Sequence, residues 1–247
     1  HTQSRLSILA ACEDPTTIST YNYGGQVWPL PQTGQMWLEH ELLKNPNYPG
    51  VFCISTSYRN EPNPIPGRHE KIFPMFEFES KGNLDDLIKL ESDLLVYLGL
   101  ESPVVYDYED LATKYDVSIL ETEHEEKMET DIGKSVIIQY FPERTSPFWN
   151  MKHDKDGIFK KVDVILYGQE TIGSAERATD KDEMRHFFET ISEGGYKDKL
   201  YDLFGKDRVE AELKEYLSND FYPRFGGGIG VTRLVRALKL KENSPTF

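Results

Sequence analysis

Apolar positions along the chain fall into short runs of two kinds. Residues 51–58 (VFCISTSY) and 72–79 (IFPMFEFE) have strand character, and the segment between them is polar and rich in Pro and Gly, which predicts a hairpin with a long loop. Residues 135–141 (SVIIQYF) and 161–166 (KVDVIL) predict buried strands joined by an irregular connection, and GSAER at 173–177 predicts a neighbouring strand. Helical spacing takes over at Leu84, Leu87, Ile88, Leu94, Leu95 and Leu98. Asn83 suits the N-cap, Asp85 and Asp86 the first turn, and Gly99 the stop, so this is a core helix. PQTGQMWLE at 31–39 opens a helix running to about Leu43. A short helix is expected at 107–115, amphipathic outer helices at 181–192 and 206–218, and a last helix from about Val231. The strongly acidic 118–131 reads as a solvated helix, with His124 among its glutamates rather than in a metal site. Residues 1–30 are the least patterned, although YNYGGQVWPL has strand character.

At 247 residues the chain has room for one large domain with a real core, and the expectation is a single domain over 1–247. A hydrophobic fraction of 38% and a charged fraction of 28% describe an ordinary globular protein. No apolar run approaches the roughly 20 residues of a membrane span, and no secretory pattern opens the chain. Cys12 and Cys53 are far apart and form no CxxC pair, which fits a reducing cytosol and a cytoplasmic protein. The net charge of −14 argues against an extended nucleic-acid surface, which needs a basic face. A small basic pocket remains compatible with it.

Such a pocket is suggested by the hairpin. Arg59 and Glu61 stand where the first strand enters the loop, Arg68 and His69 where the chain leaves it, and Phe73 opens the second strand. Pairing of the strands would bring both mouths together. Guanidinium and imidazolium suit phosphates, a carboxylate suits the adenine amino group, and an aromatic face suits stacking. A charged, solvated loop is the competing account. Gln32 and Gln35 share a face of the first turn of their helix, where they would hold a small polar ligand or serve as caps. Asp163 lies within an apolar strand and Glu170 follows seven residues later. A buried carboxylate needs a cation, either Mg²⁺ bridged to phosphates or an arginine. Gly226, Gly227, Gly228 and Gly230 permit close backbone approach before the helix that carries Arg233 in its first turn. The segment has neither the strand–GxGxxG–helix context of a dinucleotide fold nor the GK[ST] of a P-loop.

Together these segments resemble the class II aminoacyl-tRNA synthetases. RNE at 59–61, RH at 68–69 and Phe73 are similar to motif 2, and GGGIGVTR at 226–233 is similar to motif 3. QTGQMWLE, VFCISTSYRNE and VDVILYGQETIGSAER resemble segments of the aspartyl/asparaginyl branch. The similarity runs over roughly residues 8–240. It implies an α+β fold, a mostly antiparallel sheet of six or seven strands flanked by helices, and a homodimer. By position it implies that ATP is held by Arg59, Glu61, Arg68, His69, Phe73, Gly228, Gly230 and Arg233, with Arg59 and Arg233 as the catalytic arginines. Asp163 and Glu170 would carry Mg²⁺, and Gln35, Glu77, Ser174 and Arg177 would hold the amino acid.

The departures refine the expectation. Leu38 occupies the place where aspartyl enzymes keep a lysine for the substrate side chain, an asparaginyl-like feature. Thr232 replaces the acid that usually precedes the motif 3 arginine, as in asparagine synthetase A. Motif 1 is at most a remnant near SRLSILAACEDP, and no anticodon-binding OB-fold is expected before the core. PFWNMK…KKVDVIL…SAER is similar to segments of archaeal asparagine synthetase-related proteins. The resemblance therefore implies a stand-alone AMP-forming ligase that joins aspartate and ammonia without a nucleic-acid or membrane partner. A paralogue charging tRNA, a protein or a metabolite, and a silent regulatory module, are the alternatives.

Overall fold

The computed structural model describes residues 1–2, 7–9 and 15–243. Cys12 and most of the motif 1 remnant lie outside the described residues. The chain opens with a small hairpin, β1 (Thr20–Tyr23) and β2 (Gln26–Pro29), and then helix α1 (Gln35–Lys44). Strands β3 (Gly50–Tyr58) and β4 (Ile72–Lys81) form the predicted long hairpin, followed by α2 (Leu84–Tyr97). Strand β5 (Val104–Asp107), helices α3 (Tyr108–Tyr115) and α4 (Thr122–Asp131), and strands β6 (Ser135–Pro142), β7 (Ile158–Leu166) and β8 (Gln169–Glu176) come next. Three outer helices, α5 (Lys181–Thr190), α6 (Gly195–Phe204) and α7 (Lys206–Leu217), precede β9 (Arg224–Gly230) and α8 (Val231–Glu242). No helix among the described residues is long and apolar enough to cross a membrane.

One seven-stranded sheet, ordered β3-β4-β9-β8-β7-β6-β5, organises the molecule. Every pairing is antiparallel except β5 with β6. The fold is the mixed α+β arrangement that the motifs imply. The last strand in sequence, β9, enters between β4 and β8, so both of its neighbours were laid down long before it. That insertion brings the glycine segment beside the hairpin.

The two faces of the sheet are covered differently. Phe78, Val162, Val164, Ile172, Phe225 and Ile229 point to one face and pack against α2 and α8. Leu84, Leu87 and Leu95 supply the apolar stripe of α2, and Asn83 caps it by accepting from the amides of Asp85 and Asp86. The opposite face is covered only in part. Beyond β8 a core of Trp149, Phe159, Phe188, Tyr196 and Leu213 underlies α5–α7, and α1 lies over β3 and β4 with Leu38 and Leu42 against Val51 and Cys53. Between these covered regions the sheet is open, and a cavity results.

Two local expectations need correction. Residues 195–204 form a helix and 104–107 a strand, neither of which the periodicity marks. The acidic helix α4 is not simply solvated. His124 and Met128 are buried, and His124 Nδ1 accepts from the amide of Glu121 at 2.9 Å to close the N-terminus. Its acidic side chains thereby include one, Glu125, that faces inward. Leu38, on the inward face of α1, is fully buried and does not line the cavity.

Candidate active site

The cavity measures about 540 Å³. Its floor is backbone. Alternation along β9 sends Phe225 and Ile229 to the α2/α8 core and leaves Gly226, Gly228 and Gly230 on the other face. A Cβ on Gly228 would stand 2.6 Å from Met75 Cε, and one on Gly226 would overlap the Glu79 carboxylate. The glycines therefore provide a flat ledge on which a planar ligand can rest.

Thirteen of the fourteen residues expected at the site line this cavity: Gln35, Arg59, Glu61, Arg68, His69, Phe73, Glu77, Glu170, Ser174, Arg177, Gly228, Gly230 and Arg233. Asp163 is buried beside it. One end is made by the hairpin loop and the start of α8. The Arg59 amide donates to Lys71 O at 2.8 Å and closes the loop. The Arg59 guanidinium then sits 5.8 Å from the centroid of the Phe73 ring. Across the cavity, Arg233 Nη1 donates to the Glu170 carbonyl at 2.8 Å and lies 3.8 Å from its carboxylate. Two arginines and an aromatic ring thus face one another over bare backbone, which suits a purine and a chain of phosphates.

Arg68 and His69 behave differently from expectation. Arg68 reaches out of the loop to pair with Glu125 of α4, with Gly168 O at 3.4 Å from its other terminal nitrogen. His69 Nδ1 accepts from the Ile65 amide at 3.2 Å. Both serve the loop's own architecture here. Glu125 also accepts from the amide of Glu170 at 3.0 Å, so the acidic helix props up both the loop and β8. Burial raises the Glu125 carboxyl above its ordinary range, with Glu170 adding to the rise and Arg68 opposing it. Nothing in the run of glutamates from 121 to 129 distinguishes Glu125, which is why the sequence hides it.

The other end is dry. Arg177 Nε donates to Glu79 at 2.8 Å and lies 3.7 Å from Glu39. Glu39, on α1, also accepts from Arg224 Nη2 at 2.6 Å, Tyr216 Oη at 2.7 Å and Asn150 Nδ2 at 2.5 Å. Gln35 donates to Glu79 as well. Two guanidiniums and two carboxylates are thereby sequestered from water. Burial pushes Glu79 up to about 7, against the pull of Arg177. Glu77, expected near the amino acid, accepts from the amide of Gly34 at 2.8 Å and from the hydroxyls of Thr33 and Ser55. It anchors the turn that leads into α1.

Ser174 borders the cavity, but its hydroxyl is engaged elsewhere. Its Oγ donates to Glu91 of α2 at 2.7 Å, on the face opposite the cavity, so its hydroxyl does not meet the contents of the cavity. Glu91 is itself pushed up to about 8 by burial.

Asp163 and Glu170 converge over Gly173, where a Cβ would lie 3.7 Å from Asp163 Oδ1 and 3.1 Å from Glu170 Oε1. Asp163 Oδ1 is buried and has no hydrogen-bond partner among the described residues, which leaves a lone pair for a cation. Burial raises Asp163 to about 7; Lys161 opposes the rise and Glu170 adds to it. No group of three or more His, Cys, Asp or Glu able to hold a metal occurs among the described residues. A pair of carboxylates fits Mg²⁺, which takes its remaining ligands from phosphates and water. Lys161 was overlooked by sequence reasoning, although its position two residues before Asp163 on a strand places both on one face.

The family model for class II tRNA synthetases of the D, K and N type matches residues 10–243. No curated protein matches the chain by sequence. Among solved structures, the chain is similar to asparaginyl-tRNA synthetase from Pyrococcus horikoshii complexed with asparaginyl-adenylate (TM-score 0.77, 18% identity, covering 96% of this chain and 59% of that one). It is also similar to the Entamoeba histolytica asparaginyl-tRNA synthetase complexed with asparaginyl-adenylate (TM-score 0.71, 20% identity, 91% and 56%). The aspartyl tRNA synthetase of Entamoeba histolytica follows the same fold (TM-score 0.68, 17% identity, 85% and 49%). The chain thus spans 49–59% of the length of these synthetases. With the family model matched over nearly its whole length, the chain belongs to the class II tRNA synthetases of the D, K and N group.

Proposed function

We propose that the protein activates an amino acid with ATP as an acyl-adenylate, and that the amino acid is aspartate, activated at its β-carboxylate for amidation by ammonia. The observation that carries the first part is the single cavity with two unlike ends. Arg59, Phe73 and Arg233 frame a glycine ledge at one end, while Gln35 and Arg177 close the other. A substrate carboxylate resting between the ends would lie in line with the α-phosphate. Its oxygen forms the bond to phosphorus as the bond to the β-phosphate bridging oxygen breaks and pyrophosphate leaves. Arg59 would offset the charge that develops at the α-phosphate and Arg233 that at the leaving group. Asp163 and Glu170 would hold Mg²⁺, whose contribution is to neutralise and align the phosphates. Ammonia would then attack the acyl carbon, lose a proton and release AMP. No covalent nucleophile is needed.

The aspartate and ammonia part rests on the resemblance of 147–177 to asparagine synthetase-related segments. The amino-acid-dependent exchange of pyrophosphate into ATP tests both parts. Exchange with aspartate, and ammonium-dependent asparagine and AMP, is the expected result. Aspartate-dependent AMP production that needs no ammonium at any concentration would refute the amidation. Transfer to tRNA is the second reading, favoured by the family to which the chain belongs. Asparagine-dependent exchange and charging of unfractionated tRNA would select it.

A further inference from the structure

We infer that Lys161 is a built-in counter-cation of the two-carboxylate site, which leaves a divalent ion only one oxygen of Asp163 and weakens the hold of the protein on that ion. The inference rests on the reading that Asp163 and Glu170 carry a metal. Lys161 Nζ lies 2.7 Å from Asp163 Oδ2, in a pair whose side chains are 25% and 11% exposed. The same ammonium sits 4.2 Å from the centroid of the Phe141 ring, which is itself buried. A carboxylate on one side and a ring on the other fix it in place. The other oxygen, Oδ1, faces Gly173 and Glu170 and lacks a partner. Asp163 is therefore divided: Oδ2 is occupied by a cation of the protein, and Oδ1 is left without a partner over Gly173, beside the cavity. An incoming Mg²⁺ meets a carboxylate whose charge is already offset, with a positive group on its far side. Repulsion between the two cations is only partly screened at this depth.

The arrangement makes metal affinity depend on what else arrives. Alone, the ion gains little from Asp163 and Glu170. With phosphates bound, it gains additional oxygen ligands, so the metal and the nucleotide should enter together. Lys161 is a positioning residue in this account, acting on the reaction through the metal.

Mn²⁺ alone is the probe, with free ion read by electron paramagnetic resonance during titration of the whole chain. Lys161→Met and Lys161→Gln should each bind Mn²⁺ on the order of tenfold more tightly than the unaltered protein. Lys161→Arg, which keeps the charge, should bind as the unaltered protein does. So should Lys160→Met, whose ammonium pairs with Glu176 at 3.4 Å. Two neutral substitutions guard against one that fails to fold, checked by urea unfolding of each. Unchanged or weaker binding in both neutral variants would overturn the inference while leaving the metal reading intact. An absence of Mn²⁺ binding in every variant would overturn the metal reading, and the inference with it.

Discussion

The two ends of the cavity solve opposite problems. At the ledge, Arg59, Arg233 and Glu170 are held by a few bonds and remain part-exposed, with Arg233 at 30% and Glu170 at 40%. At the dry end, Arg177, Glu39, Glu79 and Arg224 are nearly or fully buried, and each charge has an opposite charge against it. The contrast separates two uses of the same residue types. The part-exposed arginines line the cavity, where a ligand that brings phosphates with it can reach them. Buried arginines are already neutralised by the fold, and they set shape more than charge. A substrate reaching Arg177 meets a guanidinium that shares its positive charge with two glutamates.

The largest effects should therefore divide cleanly between stability and activity. Glu39→Ala leaves Arg224 without its nearest carboxylate in a fully buried setting, and should lower unfolding free energy by about 3–5 kcal/mol in urea titrations. Arg59→Ala removes a donor from the ledge without opening the core. Pyrophosphate exchange should fall on the order of 10²–10³-fold, with the urea midpoint unmoved. A large stability loss for Arg59→Ala, or a loss of exchange without destabilisation for Glu39→Ala, would break the division.

The same contrast explains what was legible in the sequence. The ledge could be read, because glycine repeats, an RNE triplet and a lone arginine at a helix start stand out against ordinary composition. So could the long hairpin and the core helix, whose periodicity follows from having one covered face. The dry network was largely illegible. Glu39, Arg224 and Tyr216 come from three distant segments, and in sequence each looks like a surface residue of its own element. The direction of the Ser174 hydroxyl was hidden for a related reason: strand alternation fixes its face only once Gly227 and Ile172 are known to point to the α2 core. Glu125 was lost among equals. Local pattern reveals a residue when its neighbours constrain it, and conceals it when its partner is far along the chain.

Glu79 offers a subtler test of the dry end. Its carboxyl is pushed up to about 7 by burial, so the folded protein holds the proton more tightly than the unfolded chain does. Its contribution to stability is then fully present below the ordinary carboxyl range and is lost as pH rises through about 7. Glu79→Gln is neutral at every pH. Compared by urea unfolding at pH 5 and pH 8, the variant should gain on the unaltered protein by roughly 2 kcal/mol at the higher pH. A difference that does not change with pH would show that Arg177 keeps Glu79 ionised throughout.

The smallest effect probes the border between the two regimes. Arg68 belongs to the ledge by position but to the fold by its partner, since Glu125 takes its charge. Glu125→Gln keeps the shape of the latch and removes the charge, and as the pair is mostly buried it should cost about 1–2 kcal/mol of stability. Arg68 then loses its strongest competitor for phosphate. The KM for ATP in the exchange assay should fall by roughly two- to fivefold with kcat unchanged, about 0.5–1 kcal/mol in binding alone. If KM rises instead, the latch holds Arg68 where the nucleotide needs it, and Arg68 joins Arg59 and Arg233 as a ready-made part of the ledge.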